Sequence, residues 1–194
     1  MTIAPIMKTL QLSKSLLILI FIGTFMTSCS NEGINDTSTH TSISVKLSSS
    51  SELYSGVYLD VKDVQIQIDE DALNSKSWMS LGALNSGVYD FSDMNDGAEL
   101  ILVEDMVIPV SHVYSVKLVL GDDNAMVMNN ILYAIDTPEA ANKESVNAVN
   151  RSLQANKSYE FTLDFEVDKS IQMSGMDVIL TPKMNTEMRL YELF

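Results

Sequence analysis

Ser158-Tyr159-Glu160-Phe161-Thr162-Leu163-Asp164-Phe165-Glu166-Val167 is the most regular stretch of this chain. Tyr159, Phe161, Leu163, Phe165 and Val167 alternate with Glu160, Thr162, Asp164, Glu166 and Asp168. A period of two matches the pleat of a strand, whose successive side chains point to opposite faces. The aromatic and aliphatic set is therefore expected in a core and the acidic set in water. A helix would spread the same residues around its circumference.

The same alternation recurs on both sides of this stretch. Ile43, Val45 and Leu47 point one way, and so do Val57, Leu59 and Val61. The phase then slips, because Val64, Ile66 and Ile68 fall on even positions beyond Lys62-Asp63. A β-bulge near that pair restores the face, and two consecutive strands are the alternative. Further strands are expected at 78–81, 88–91, 100–108 and 176–183, with Asn85-Ser86-Gly87 and Asn95-Asp96-Gly97 as turns. Segments 112–120 and 125–135 flank Gly121-Asp122-Asp123-Asn124 and read as a hairpin. Only 139–153 looks helical, weakened by Asn142, Asn147 and Asn150. Strand after strand with short polar turns predicts an all-β fold, an antiparallel β-sandwich over residues 43–194.

Composition agrees with one such domain. The chain has 194 residues, 46% hydrophobic and 20% charged, enough for a core. Twelve Lys plus Arg against 26 Asp plus Glu give a net charge of −14. That sign excludes electrostatic gripping of nucleic acid or of anionic lipid head groups. Cys29 is the single cysteine, so neither an intramolecular disulfide nor a multi-thiolate zinc site is available.

Residues 1–28 contain no acid, carry Lys8 and Lys14, and then run apolar from Leu16 to Ile22. This is the profile of a secretory signal. It ends at Met26-Thr27-Ser28-Cys29, which resembles the lipobox of bacterial lipoproteins, with Cys29 as the lipidated residue. Gly23, Thr24, Thr27 and Ser28 break the run before it reaches the length of a membrane span. Ser30 after the cysteine resembles the Gram-negative pattern for outer-membrane sorting, in the periplasmic or surface leaflet. Residues 29–42 are polar and rich in Ser and Thr, and are expected to form a flexible tether.

Candidate chemistry is sparse. His40 falls in the tether, and His112 follows Ser111, whose side chain points to the opposite face of a strand. Those two cannot form a dyad, and His112 reads as a satisfied structural residue. Ser92-Asp93-Met94-Asn95-Asp96-Gly97 lacks a calcium loop's ligands, since Met94 and Val103 fall where carboxylates belong. Asp164, Glu166 and Asp168 alternate on one face, where a hard cation could be held weakly, though a solvated strand face explains them. Trp78 and the tyrosines could stack on sugars, but strand packing suffices to explain them.

Several segments together resemble an uncharacterised bacterial and archaeal family of secreted proteins and lipoproteins. They are 57–68 followed by Trp78, Asp90-Phe91 through Asn95 to Gly97, Lys117-Leu118-Val119-Leu120, and Thr181-Pro182. The most specific is Asp164-Phe165-Glu166-Val167-Asp168-Lys169-Ser170-Ile171, similar to an Asp-Phe-(two residues)-Asp-Lys-Ser-Ile signature. The resemblance runs from about Ile43 to about Leu190 and implies a prealbumin-like or immunoglobulin-like sandwich. It departs at Ser48-Ser49-Ser50-Ser51, where the family usually has an Asp and a Pro, and near Val110-Ser111, where the family has a Gly. Within the signature, Lys169 is expected to partner Asp164 or Asp168, and Ser170 to cap a turn.

The function expected is a lipid-anchored envelope module that binds or supports without catalysis, cofactor or metal centre. Its partners would be the membrane, through lipid on Cys29, and a glycan or an envelope protein; nucleic acid is not expected. A fimbrial or adhesin-type subunit assembled by strand exchange is the alternative, and a hydrolase comes third. Recognition is expected on the two longest stretches without alternation, 69–77 and 136–156.

Overall fold

A computed structural model of the chain describes residues 39–92, 94, 99–138, 145–175 and 177–191. Its strands form a β-sandwich, as the alternation predicted. The first sheet has the order β13-β10-β1-β5, where β1 is His40–Ser50, β5 Leu100–Pro109, β10 Ser158–Glu166 and β13 Met184–Tyr191. Ile43, Val45 and Leu47 from β1, and Phe161, Leu163 and Phe165 from β10, are fully buried. β1 and β10 run parallel, with Val45 opposite Phe161, whereas β5 pairs antiparallel with β1 and β13 antiparallel with β10. The sheet is thus mixed at its centre. β5 bulges at Asp105, whose φ is 44° and whose amide donates to Ser44 Oγ at 3.0 Å.

Thr162, Asp164 and Glu166 are more exposed than their inward neighbours, but Glu160 is nearly buried, contrary to expectation. Lys46 Nζ lies 2.9 Å from Glu160 and 3.1 Å from Glu99, and the Tyr191 hydroxyl donates to Glu160 at 3.1 Å. The hydrogen bond from Lys46 holds the Glu160 carboxyl below its usual range despite burial.

The second sheet is organised around β2 (Val57–Gln67). β3 (Trp78–Ser80) and β4 (Gly87–Asp90) share one of its edges, and β6 (His112–Leu120) and β7 (Ala125–Met128) share the other. The register shows this directly: Tyr58 faces Asp90 and Ala125, and Gln65 faces Ser80 and Lys117. β8 (Ile131–Ala134) pairs with β7, and β9 (Val146–Ser152) with β6. The register of β2 shifts between Val61 and Asp63. Lys62 is the extra residue, so β2 is one bulged strand rather than two. Across the sandwich, Phe91 meets Phe165 edge to face at 5.0 Å between ring centroids.

Several expectations are corrected here. Gly121–Asn124 does not reverse the chain: β6 and β7 travel in the same direction past β2, and these four residues bulge out between them. The Asn124 side chain and the Gly121 amide satisfy the Asp60 backbone across that gap, at 2.8 and 2.7 Å. The hairpin lies between β7 and β8 instead, at Asn129 and Asn130, both with positive φ. Residues 146–152 form β9 rather than a helix, with a bulge at Asn150, φ 50°; residues 139–144 lie outside the described residues. β1 begins at His40 with Thr41 buried, so the end of the expected tether already belongs to the sheet. The alternation of β10 ends at Glu166, where α1 (Val167–Ser170) begins, and β11 (Ile171–Ser174) pairs with β12 (Asp177–Leu180) in a small separate sheet.

Candidate functional site

The stretch between β2 and β3 builds a braced loop. Gln67 Nε2 donates to the carbonyls of Asp69 and Glu70 at 2.8 and 3.3 Å. Asp69 Oδ1 and Asp71 Oδ1 accept from the amides two residues on, and Asn74 Oδ1 accepts from Lys76 N. Buried Ser77 donates to the Asp71 carbonyl at 2.7 Å, and the amide of Ile68 donates to the Ser77 carbonyl at 2.8 Å. Short polar side chains thus bond their own backbone, which explains why this sequence makes a fixed loop instead of a strand.

Under this loop lies an open cleft of about 440 Å3, lined by Gln67, Ala72, Leu73, Trp78, Ser115, Lys117 and Val146. Strand register assembles it: Gln67 of β2 stands opposite both Trp78 of β3 and Ser115 of β6, and Lys117 of β6 stands opposite Val146 of β9. All four strands offer outward-facing residues at one place. The Trp78 indole N–H donates to the Ala72 carbonyl at 3.3 Å, tying ring to loop. Leu73 is 97% exposed at the rim. Lys117 Nζ sits 4.3 Å from the centre of the Trp78 ring. Burial pushes the Lys117 ammonium pKa down, and Asp63 only partly offsets this. Among the described residues Lys46, Lys62, Lys169 and Arg189 each pair with a carboxylate, whereas Lys117 rests on an aromatic face.

The expectation that recognition sits at 69–77 thus coincides with a cleft. Trp78 stands on a strand, β3, as expected, and its half-buried ring also lines the cleft wall. Its meeting with Lys117 is invisible in sequence, since β2 lies between their strands.

The remaining candidates fall as follows. Ser111 Oγ donates to the Pro109 carbonyl, away from His112. His112 does meet another serine: Nδ1 lies 2.9 Å from Ser152 Oγ and Nε2 2.8 Å from Asn150 Oδ1, with the Tyr114 ring 4.4 Å away. This trio straddles the β9 bulge on an exposed strand face and pins it across to β6. Asp164 accepts from Ser48 Oγ, Glu166 pairs with Lys169 at 2.6 Å, and Asp168 accepts from Ser51 Oγ, Glu52 N and Leu53 N. The three carboxylates therefore serve different partners, and Lys169 holds Glu166 rather than Asp164 or Asp168. Among the described residues no three His, Cys, Asp or Glu gather as metal ligands. Ser170 Oγ donates to the Glu166 carbonyl at 2.7 Å and accepts from Lys183 N at 2.8 Å, the turn cap expected of it. Cys29 and the Asn95-Asp96-Gly97 turn lie outside the described residues, among which no helix is long and apolar enough to cross a membrane.

Two solved structures resemble this chain at 10% identity. One is a fimbrial protein from Bacteroides vulgatus, with a TM-score of 0.41 over 76% of this chain and 54% of that one. The other is a putative cell adhesion protein from Parabacteroides distasonis, with a TM-score of 0.29 over 79% of this chain and 52% of that one. The chain thus spans about half the length of each. No curated protein matches it. Residues 40–182 match the profile of a domain of unknown function, from β1 through the end of β12, so the chain belongs to the DUF4382 family.

Proposed function

We propose that this protein is a non-catalytic binding module, held at the bacterial outer membrane by lipid on Cys29, that recognises a component of the cell envelope through the Trp78 cleft. The observation that carries this reading is the cleft itself: an aromatic ring, a partly buried ammonium and an exposed leucine gathered at an internally braced loop. Such sites, mostly apolar with a few placed polar groups, are where ligands bind. The acid-free leader and the Met26-Thr27-Ser28-Cys29 segment support the anchor. Each buried acyl methylene contributes about 0.8 kcal/mol, so more than one chain on a single cysteine gives durable attachment.

Two experiments test this reading. Cys29→Ser should leave the protein unprocessed or released from the membrane fraction, and unchanged mass and fractionation would refute lipidation. Pull-downs from intact cells should recover an envelope component with wild-type protein and lose it with Trp78→Ala. Retention by Trp78→Ala would move the site elsewhere, and a ladder of self-assembled protein would favour strand exchange. Turnover in glycoside, ester or peptide substrate panels would replace the binding reading with an enzyme.

A further inference from the structure

We infer that the Trp78 cleft takes a saccharide unit bearing a single carboxylate, its acid on Lys117 and its apolar C–H side against the indole surface that Lys117 leaves uncovered and against Leu73; this rests on the cleft being the recognition site. The flat apolar surface comes from Trp78, with Leu73, Ala72 and Val146 around it. Aromatic side chains provide large contact area with a defined geometry, which suits the C–H face of a sugar ring. Gln67 uses its amide nitrogen to hold the loop, which leaves its carbonyl oxygen, with the Ser115 hydroxyl, to meet sugar hydroxyls.

The acid is specified by Lys117. An ammonium carries three donors and gains most from an ionised acceptor where water is partly excluded. Here Lys117 is partly buried, lies on the ring and forms no ion pair among the described residues, Asp63 acting on it only from a distance. A carboxylate arriving beside the indole supplies the missing acceptor. A single charge suits the one ammonium of the cleft, and a net charge of −14 disfavours polyanions.

Trp78 is the sole tryptophan, so its emission reports this cleft directly. The full-length protein is titrated with glucuronate, galacturonate and N-acetylneuraminate, with glucose, with methyl glucuronate ester and with phenylacetate. At least one acidic sugar should shift the emission and bind roughly tenfold more tightly than its neutral counterpart. Lys117→Met, which keeps the apolar stem, should erase that preference and retain weak neutral-sugar binding. Polygalacturonate should bind no better per unit than the monomer. A panel silent to every acidic sugar, equal affinity for acid and ester, or tighter binding of phenylacetate would each overturn the inference. If neutral sugars bind in a Trp78-dependent way, the cleft stands as the recognition site and only the charge selection falls. If envelope binding survives Trp78→Ala, the cleft itself is displaced.

Discussion

The first sheet is made of four unbroken strands of 8 to 11 residues, whereas in the second sheet both edges of β2 are completed by strands broken in two. In the first, β10 pairs with β1 and β13 without a register shift, and the inward side chains of β1 and β10 form its buried face. In the second, each interruption pushes chain outward: Gly121–Asn124 covers Asp60, and the three-residue β3 lets the preceding loop fold over the sheet. Continuity gives the first sheet its long pairing, and interruption gives the second its surface shape. The cleft belongs to the interrupted sheet, consistent with binding residues sitting on loops held by a scaffold.

Phe165→Ala, in the continuous sheet, should cost about 3–5 kcal/mol in denaturant unfolding, because the ring is fully buried against Phe91. A loss below about 0.5 kcal/mol would deny that sheet its supporting role. Gly121→Ala probes the interrupted sheet: the added Cβ would lie 2.0 Å from Asp60 Oδ2 and 2.4 Å from Lys62 Cε. Asp60 is 2% exposed and cannot retreat, so a cost of about 1–3 kcal/mol is expected by thermal denaturation. An unchanged midpoint would mean that this loop lifts freely off β2.

Asp168 tests the seam between the sheets, where it fastens the link from β1 to β2. Burial alone would raise its pKa, but hydrogen bonds from Ser51, Glu52 and Leu53 outweigh burial and lower it. The resulting stabilisation is present above the ordinary carboxylate range and is lost as pH falls through the depressed value. Asp168→Asn should therefore cost about 1 kcal/mol at neutral pH, with the gap to wild type closing below about pH 4. A pH-independent gap would contradict the assignment. Leu73→Ser, at the cleft rim, should stay within about 0.5 kcal/mol of wild type while changing Trp78 emission. A larger stability change would make Leu73 a packing residue.

Legibility in the sequence follows the same division. β1, β2 and β10 could be read because one strand's alternation reports one buried face, and the Lys62 bulge because it reverses that phase. β13 is hard to read because Met184, Thr186 and Met188 turn inward with only Met184 buried, so its alternation is weak. Turn-forming residues at Gly121–Asn124 describe local backbone freedom, while their partnership with β2 is decided by Asp60, 64 positions before Asn124. Asn150, which counted against a helix at 139–153, instead serves the bulge of β9, where its positive φ suits Asn. The loop of the cleft was legible as a stretch without alternation. The Trp78–Lys117 contact was not, because it exists only once β3, β2 and β6 lie side by side.

The central place of β1 has a consequence in time. Its neighbours, β5 and β10, begin 60 and 118 positions after His40. As the chain lengthens from its amino end, β1 is among the first segments available and among the last to be paired on both sides. Such long-range closure makes sandwiches slow folders, on the order of milliseconds to seconds. Until β10 appears, Ile43, Val45 and Leu47 present an apolar face with an open edge, which is the state most prone to misassociation. Pairing of β1 on both sides is therefore a late event that waits for Ser158–Glu166.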